Sequence, residues 1–267
     1  MIVIKIGGSI VDELHESTIQ DLKDIASNDK VILVHGGGKE VTSIAEKLGK
    51  EQKFIVSPEG IRSRYTDKET AAIYTMVMSG KINKEIVTML QKSGINAFGL
   101  SGVDGAIIRA ERKKKLIIID ERGRKVAVDG GYTGKISKLN SSLLNAITDN
   151  GYVPIVSPVA LSEEFDVLNV DGDRAAAYVA AGVKANRVIF LTDVNGLMID
   201  NKLVCKLTVS EAKKILPKVG FGMEKKVLAC TEAISMGVNE AIIASGRVSS
   251  PISSALKHDN CTVISGE

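Results

Sequence analysis

IVIKIGGSI at residues 2–10 and VILVHGGGKEV at residues 31–41 decide the fold. Each opens on a β-branched run with no polar alternation, which predicts a strand buried on both faces. Each run ends in glycines, Gly7-Gly8 and Gly36-Gly37-Gly38, which predict tight turns into a helix at the strand's carboxyl end. Open α/β sheets bind ligands at that edge, and glycine turns let backbone N–H groups approach phosphate or carboxylate oxygens. Outward from this pair, Ile95 to Leu100, Tyr152 to Val156, Val188 to Leu191, Ala241 to Ala244 and Thr262 to Ile264 read as further strands. Helix-period segments lie between them at 17–28, 39–48, 67–79, 82–93, 139–149, 173–182, 210–216, 224–237 and 251–257. This alternation predicts an α/β fold with a mostly parallel central sheet between two helical layers, a three-layer αβα sandwich. Residues 106–135 break the rhythm with short strands around Asp120-Glu121-Arg122-Gly123, so a β-hairpin is expected to project there. LNVDGD leads straight into the helix RAAAYVAAG, which sets an expected boundary between lobes 1–170 and 171–267.

The chain has 267 residues, enough for a sizeable core, with 44% hydrophobic and 25% charged residues. No apolar run approaches the roughly 20 residues that span a bilayer. The N-terminus opens directly on a strand, so a cytoplasmic protein with no membrane role is expected. The net charge of +3, with five Tyr and five Phe, gives no ground for a nucleic-acid partner. Cys205, Cys230 and Cys261 are odd in number and widely spaced, and they read as buried, reduced thiols with no metal role.

Three charged residues stand out. Lys5 interrupts the apolar run of the first strand just before its glycines, where a buried ammonium needs a partner or an anion. Asp173 begins an Ala-rich helix, where a carboxylate is equally natural as a cap. Lys226 lies in the first turn of a helix after Gly220-Phe221-Gly222, a poor place for a cation unless an anion binds nearby. The usual nucleotide fingerprints fail. G-x-x-x-x-G-K-S/T is absent, because Gly130-Gly131-Tyr132-Thr133-Gly134-Lys135 has the wrong spacing, and G-x-G-x-x-G is absent as well.

Nine ordered motifs then carry a resemblance: IKIGGS (4–9), VHGGGKEV (34–41), RYTDKET (64–70), GKINKEIV (80–87), GLSGVDG (99–105), NSSLLNAITDNGYVPIVSP (140–158), LNVDGDRAA (168–176), LTDVNGL (191–197) and GFGMEKKV (220–227). In this order the chain resembles the amino acid kinase family and its N-acetylglutamate kinase branch over essentially its full length. The resemblance implies ATP-dependent phosphorylation of a carboxylate to an acyl phosphate. Lys5 and Lys226 are similar to the family's two lysines that neutralise charge on the transferred phosphoryl group, Asp173 to the carboxylate that holds them, and Gly8 and Gly38 to its backbone donors. Gly37, Gly38, Arg64 and Asn169 match acceptor-binding positions in the first lobe. Thr192, Asp193, Gly196, Lys218 and Gly220 match the ATP side in the second. Mg²⁺ would be held mainly through the ATP phosphates, with no protein ligand named. A carboxylate nucleophile is already ionised at neutral pH, so such chemistry needs positioning and charge neutralisation and no general base.

Two features bear on the acceptor. Arg62 is an extra arginine ahead of Arg64. The projecting hairpin carries Arg109, Arg112, Lys113, Lys114, Lys115, Arg122, Arg124 and Lys125 against Glu111, Asp120 and Glu121. Both resemble the branch in which the amino group of α-aminoadipate or glutamate is blocked by the C-terminus of a small acidic carrier, LysW. Arg62, Arg112 and Lys113–Lys115 would then be the docking residues. Free N-acetylglutamate is the alternative acceptor. The family's shared central sheets imply a homodimer.

Overall fold

The computed structural model describes residues 1–11, 14–220 and 222–267. An eight-stranded sheet forms its centre. Its strands run in the order Lys206–Thr208, Thr262–Ser265, Glu240–Ser245, Arg187–Thr192, Ile2–Ile6, Val31–His35, Val153–Ser157 and Ala97–Ser101. Pairing is parallel except between Glu240–Ser245 and Thr262–Ser265, so the last two strands at that end run against the rest. The continuous apolar runs are buried on both faces, as their lack of alternation requires. Ile2–Ile6 lies between Val31–His35 and Arg187–Thr192, so the sheet is continuous across both halves of the chain.

Two apolar clusters separate the three layers. Ile2, Ile4 and Ile6 face one, with Leu33 and Ile189. Val3 faces the other, with Val34, Val188 and the alanines of helix Gly172–Gly182. By the two-residue period of a strand, Lys5 shares the side of Val3. Ala175, Ala176, Ala177 and Ala180 are fully buried there, and their small side chains let that helix approach the sheet closely.

Several elements depart from the sequence reading. The helices expected at 67–79 and 82–93 are one continuous rod, Lys68–Lys92, joined through a π-helical segment, Met76–Ile82. Its wider turn absorbs Gly80 without a break. The region 106–135 divides in two. Ile108–Arg112 and Gly134–Leu139 join Val159–Leu161 and Val167–Asn169 in a four-stranded sheet, and only Lys115–Ile119 with Lys125–Asp129 forms the outlying hairpin. A second hairpin, Phe54–Val56 with Arg62–Arg64, packs against strand Lys115–Ile119. Cys230 and Cys261 are buried, but Cys205 is exposed, because it precedes the short edge strand at Lys206. Among the described residues no helix is long and apolar enough to cross a membrane.

Candidate active site

The strand carrying Lys5 ends in Gly7, whose N–H donates to Leu191 O at 3.0 Å, and the next strand ends in Gly36, which donates to Ile6 O at 2.8 Å. The two glycine turns thereby sit side by side. They touch backbone to backbone: a Cβ on Gly8 would lie 2.9 Å from Gly37 N, and one on Gly36 would lie 2.8 Å from Gly8 N. A Cβ on Gly37 would be 2.1 Å from Ile82 Cδ1, so the π-helical segment closes the turn from behind. Gly38 has open space around it and begins helix Gly38–Lys47, whose first N–H groups have no partner within the helix.

Lys5 and Lys226 converge on one carboxylate. Lys5 Nζ is 2.6 Å from Asp173 Oδ1, and Lys226 Nζ donates to Oδ2 at 3.2 Å. Lys5 and Asp173 are 7% and 6% exposed, so little solvent screens the pair. Burial opposes ionisation of the Asp173 carboxyl, yet the charges of Lys5 and Lys226 outweigh it and hold the group at about 2. Asp173 is not the helix cap. Asp171 fills that place, its Oδ1 accepting the N–H groups of Asp173 and Arg174 at 3.0 and 3.1 Å. With the cap supplied, Asp173 is free to bridge the lysines. The triad carries one surplus positive charge in a buried place, a standing demand for an anion.

His35 supports the turn from below. Its Nδ1–H donates to Gly36 O at 3.0 Å, and Nε2 accepts from Asn83 Nδ2 at 3.3 Å, which sets the tautomer. Burial, with the nearby charges of Lys5 and Lys84, holds His35 neutral, its pKa lowered to about 4. Asn83 also donates to Ile155 O at 2.8 Å and accepts from Lys84 at 2.9 Å, which ties the long rod to the sheet under the glycines.

Among the residues expected to bind the acceptor, Arg64 donates through Nη2 to Gly38 O at 2.8 Å and Thr42 Oγ1 at 2.9 Å, and through Nη1 to Gln52 Oε1. Those contacts leave other N–H groups of the guanidinium for a ligand, and burial lowers its pKa. Asn169 Nδ2 donates to Thr66 Oγ1 at 2.9 Å, so Asn169 and the Arg64–Thr66 segment are one unit. Tyr132 N donates to Thr66 O at 2.6 Å and joins the four-stranded sheet to them.

The residues expected to bind ATP are more scattered. Thr192 ends its strand buried, its hydroxyl donating to the exposed Asp193 at 3.1 Å. Gly196 lies against Thr262: a Cβ there would be 2.5 Å from Thr262 Oγ1. The buried Thr262 hydroxyl accepts Leu197 N–H at 2.8 Å and donates to Val204 O at 2.6 Å, which braces the loop after Thr192. Lys218 and Gly220 are exposed on the turn before helix Met223–Ser235.

The five residues expected to dock a carrier do not behave alike. Lys114 and Lys115 are exposed. Arg62 lies 4.2 Å above the Phe54 ring. Arg112 is occupied within the fold: it lies 4.2 Å above the Tyr132 ring, donates to Gly131 O at 2.6 Å and sits 3.4 Å from Asp166. Lys113 is half-buried, and burial together with the charge of Arg174 lowers its pKa. Among the described residues no group of three or more His, Cys, Asp or Glu side chains is placed to hold a metal ion.

Sequence reasoning passed over Asp171, His35, Asn83, Lys225 and Thr262. Asp171 and Lys225 were legible only as near neighbours of Asp173 and Lys226. Asn83 gave a weak signal as an amide in the middle of a helical run. Thr262 gave none.

The family model for the amino acid kinase family matches residues 1–245. A Nitrosopumilus maritimus protein whose name proposes LysW-aminoadipate/LysW-glutamate kinase activity is 64% identical over 267 residues, covering 100% of both chains. A Saccharolobus islandicus protein named LysW-aminoadipate/LysW-glutamate kinase is 47% identical, also over 100% of both. Among solved structures, a Streptococcus mutans protein aligns with a TM-score of 0.81 at 21% identity, covering 100% of this chain and 98% of that one. Carbamate kinase from Giardia aligns at 0.67 and 15% identity, with the same coverage. At these identities the structural likeness speaks for the fold alone.

Proposed function

Because the chain belongs to the amino acid kinase family, we propose that it transfers the γ-phosphoryl group of ATP to the side-chain carboxylate of α-aminoadipate or glutamate whose amino group is carried by LysW. The product is an acyl phosphate and the role is in lysine or arginine biosynthesis. Full-length identity of 64% and 47% to proteins named for that reaction supports the acceptor. The observation that carries the chemistry is the bridge of Asp173 between Lys5 and Lys226, beside the paired glycine turns.

The roles follow from charge. The acceptor carboxylate attacks the γ-phosphorus in line, and negative charge builds on the equatorial oxygens. Lys5 and Lys226 neutralise it, Gly8 and Gly38 offer N–H groups, and Asp173 fixes the spacing of the lysines. Arg64, Asn169, Gly37 and Gly38 hold the acceptor; Thr192, Asp193, Gly196, Lys218 and Gly220 hold ATP. These halves correspond to lobes 1–170 and 171–267. Mg²⁺ would ride on the ATP phosphates and add charge neutralisation there.

The exposed Lys114 and Lys115, on a hairpin beside the one that bears Arg62 and Arg64, suit an acidic carrier. We place the protein in the cytoplasm as a homodimer. Strand Ala97–Ser101 ends the sheet, and its Phe98 forms an exposed ring pair with Tyr152, which precedes the neighbouring strand Val153–Ser157; this supports pairing with a second copy at that end.

The test is turnover with ATP and three acceptors: LysW-linked aminoadipate, LysW-linked glutamate and free N-acetylglutamate. Hydroxylamine trapping reports the acyl phosphate. Trapped hydroxamate from a carrier-linked acceptor at a kcat/KM far above that of the free one is expected. The reverse order would replace the carrier reading with a free N-acetylglutamate kinase.

A further inference from the structure

Lys225 has no part in the transfer chemistry, yet it stands where three segments of the site meet. It precedes Lys226 on helix Met223–Ser235. Its Nζ donates to the main-chain O of Arg62 at 2.8 Å and lies 3.8 Å from Asp171 Oδ2. Arg62 opens the strand Arg62–Arg64, and Asp171 caps the helix that carries Asp173. A single side chain therefore links the acceptor hairpin to the two helices that carry Asp173 and Lys226.

Phe54–Val56 and Arg62–Arg64 form a separate two-stranded sheet, backed by strand Lys115–Ile119 and tied at Arg64 to Gly38 O and Thr42 Oγ1. Two such short strands are marginal by themselves in water, so each anchor counts. Arg62 and Arg64 both lie over the Phe54 ring, at 4.2 and 5.1 Å, which stiffens the hairpin internally, and Lys225 adds the tie to the helices that carry Asp173 and Lys226. Phosphoryl transfer tolerates little slack, since the reacting atoms must approach to about 3–3.5 Å and a misplacement of about 1 Å can cost 10²-fold.

We infer that Lys225 is a positioning residue that latches the acceptor hairpin onto the phosphoryl-transfer helix, so that Arg64 presents the acceptor carboxylate in line with ATP. The inference rests on the proposed role of Arg64. Asp171 steers the ammonium and the Arg62 carbonyl fixes its distance. The latch acts on the acceptor and leaves ATP binding alone.

The experiment compares wild type, Lys225→Met, Lys225→Arg, Arg64→Ala and the Lys225→Met/Arg64→Ala double variant, using whichever carboxylate acceptor the wild type turns over. A hydrogen bond from a charged donor supports an expected rise of about tenfold in acceptor KM for Lys225→Met, with a fall in kcat. ATP KM should stay within about twofold, the melting temperature should hold, and Lys225→Arg should recover most of the loss because it keeps a cationic donor. In the Arg64→Ala background, Lys225→Met should add little, since the latch works through Arg64. An unchanged acceptor KM in Lys225→Met would overturn the latch, as would an equal rise in ATP KM or the same tenfold rise in both backgrounds. If Arg64→Ala itself leaves acceptor KM unchanged, the acceptor role of Arg64 fails, and the latch falls with it.

Discussion

His35 makes the stability of the protein fall with acid as pH drops from about 6.5 towards 4. The imidazole is fully buried, its Nδ1–H committed to Gly36 O and its Nε2 to Asn83, so a second proton has no acceptor. Its pKa lies at about 4 in the fold against an ordinary 6.5. A histidine depressed in this way takes up its proton in the unfolded chain first. Its contribution is complete above about pH 6.5 and is lost as pH falls towards 4. At the usual free energy per pH unit the whole window is worth about 3 kcal/mol, most of which is gone by pH 4.5. Asp173, held at about 2, is depressed as well, but its contribution is lost only as pH falls through and below the ordinary carboxylate range. Urea unfolding at pH 7 and pH 4.5, on wild type and His35→Gln, isolates the effect. The variant starts less stable at pH 7 and should lose about 2 to 3 kcal/mol less than wild type between the two pH values. Equal losses would refute the claim that His35 is held neutral.

Lys5→Met and Lys226→Met should each lower kcat by about 10²–10³-fold while ATP KM changes far less, because their charge matters most as the phosphoryl group moves; losses below threefold in steady-state assays would remove them from the mechanism. Lys114→Glu/Lys115→Glu should lower kcat/KM for a carrier-linked acceptor at low salt and hardly alter kcat, with the difference fading as the Debye length contracts from about 10 Å at 0.1 M to about 3 Å at 1 M salt. Lys113 is left out of that pair because it is half-buried. Asp21 accepts the N–H groups of Ile252 and Ser253 at 2.7 and 3.1 Å at a buried helix start, so Asp21→Ala should cost about 3 kcal/mol by urea unfolding; a loss under about 0.5 kcal/mol would mean that water replaces it.

Sequence by itself determined what depends on near neighbours along the chain. The unbroken apolar runs IVIKI and VILVH could only be strands with both faces covered, and the glycines after them could only be turns at the sheet's ligand edge. Lys5 was conspicuous for the same reason, as a charge in a segment with no exposed side. Tertiary structure decided among local equivalents. Asp171 and Asp173 are both carboxylates at one helix start, and only the approach of Lys5 and Lys226 from distant segments settles which one caps and which one bridges. Arg112 and Lys114 belong to one basic run, but Arg112 is drawn under Tyr132 and beside Asp166 while Lys114 stays in solvent. The π-helical segment Met76–Ile82 and the reach of Lys225 to Arg62 leave no local trace, because each exists only where two remote surfaces meet. Local sterics and solvation write strands and turns into a sequence, whereas partner choice for a buried or crowded charge is a long-range competition that only the packed chain resolves.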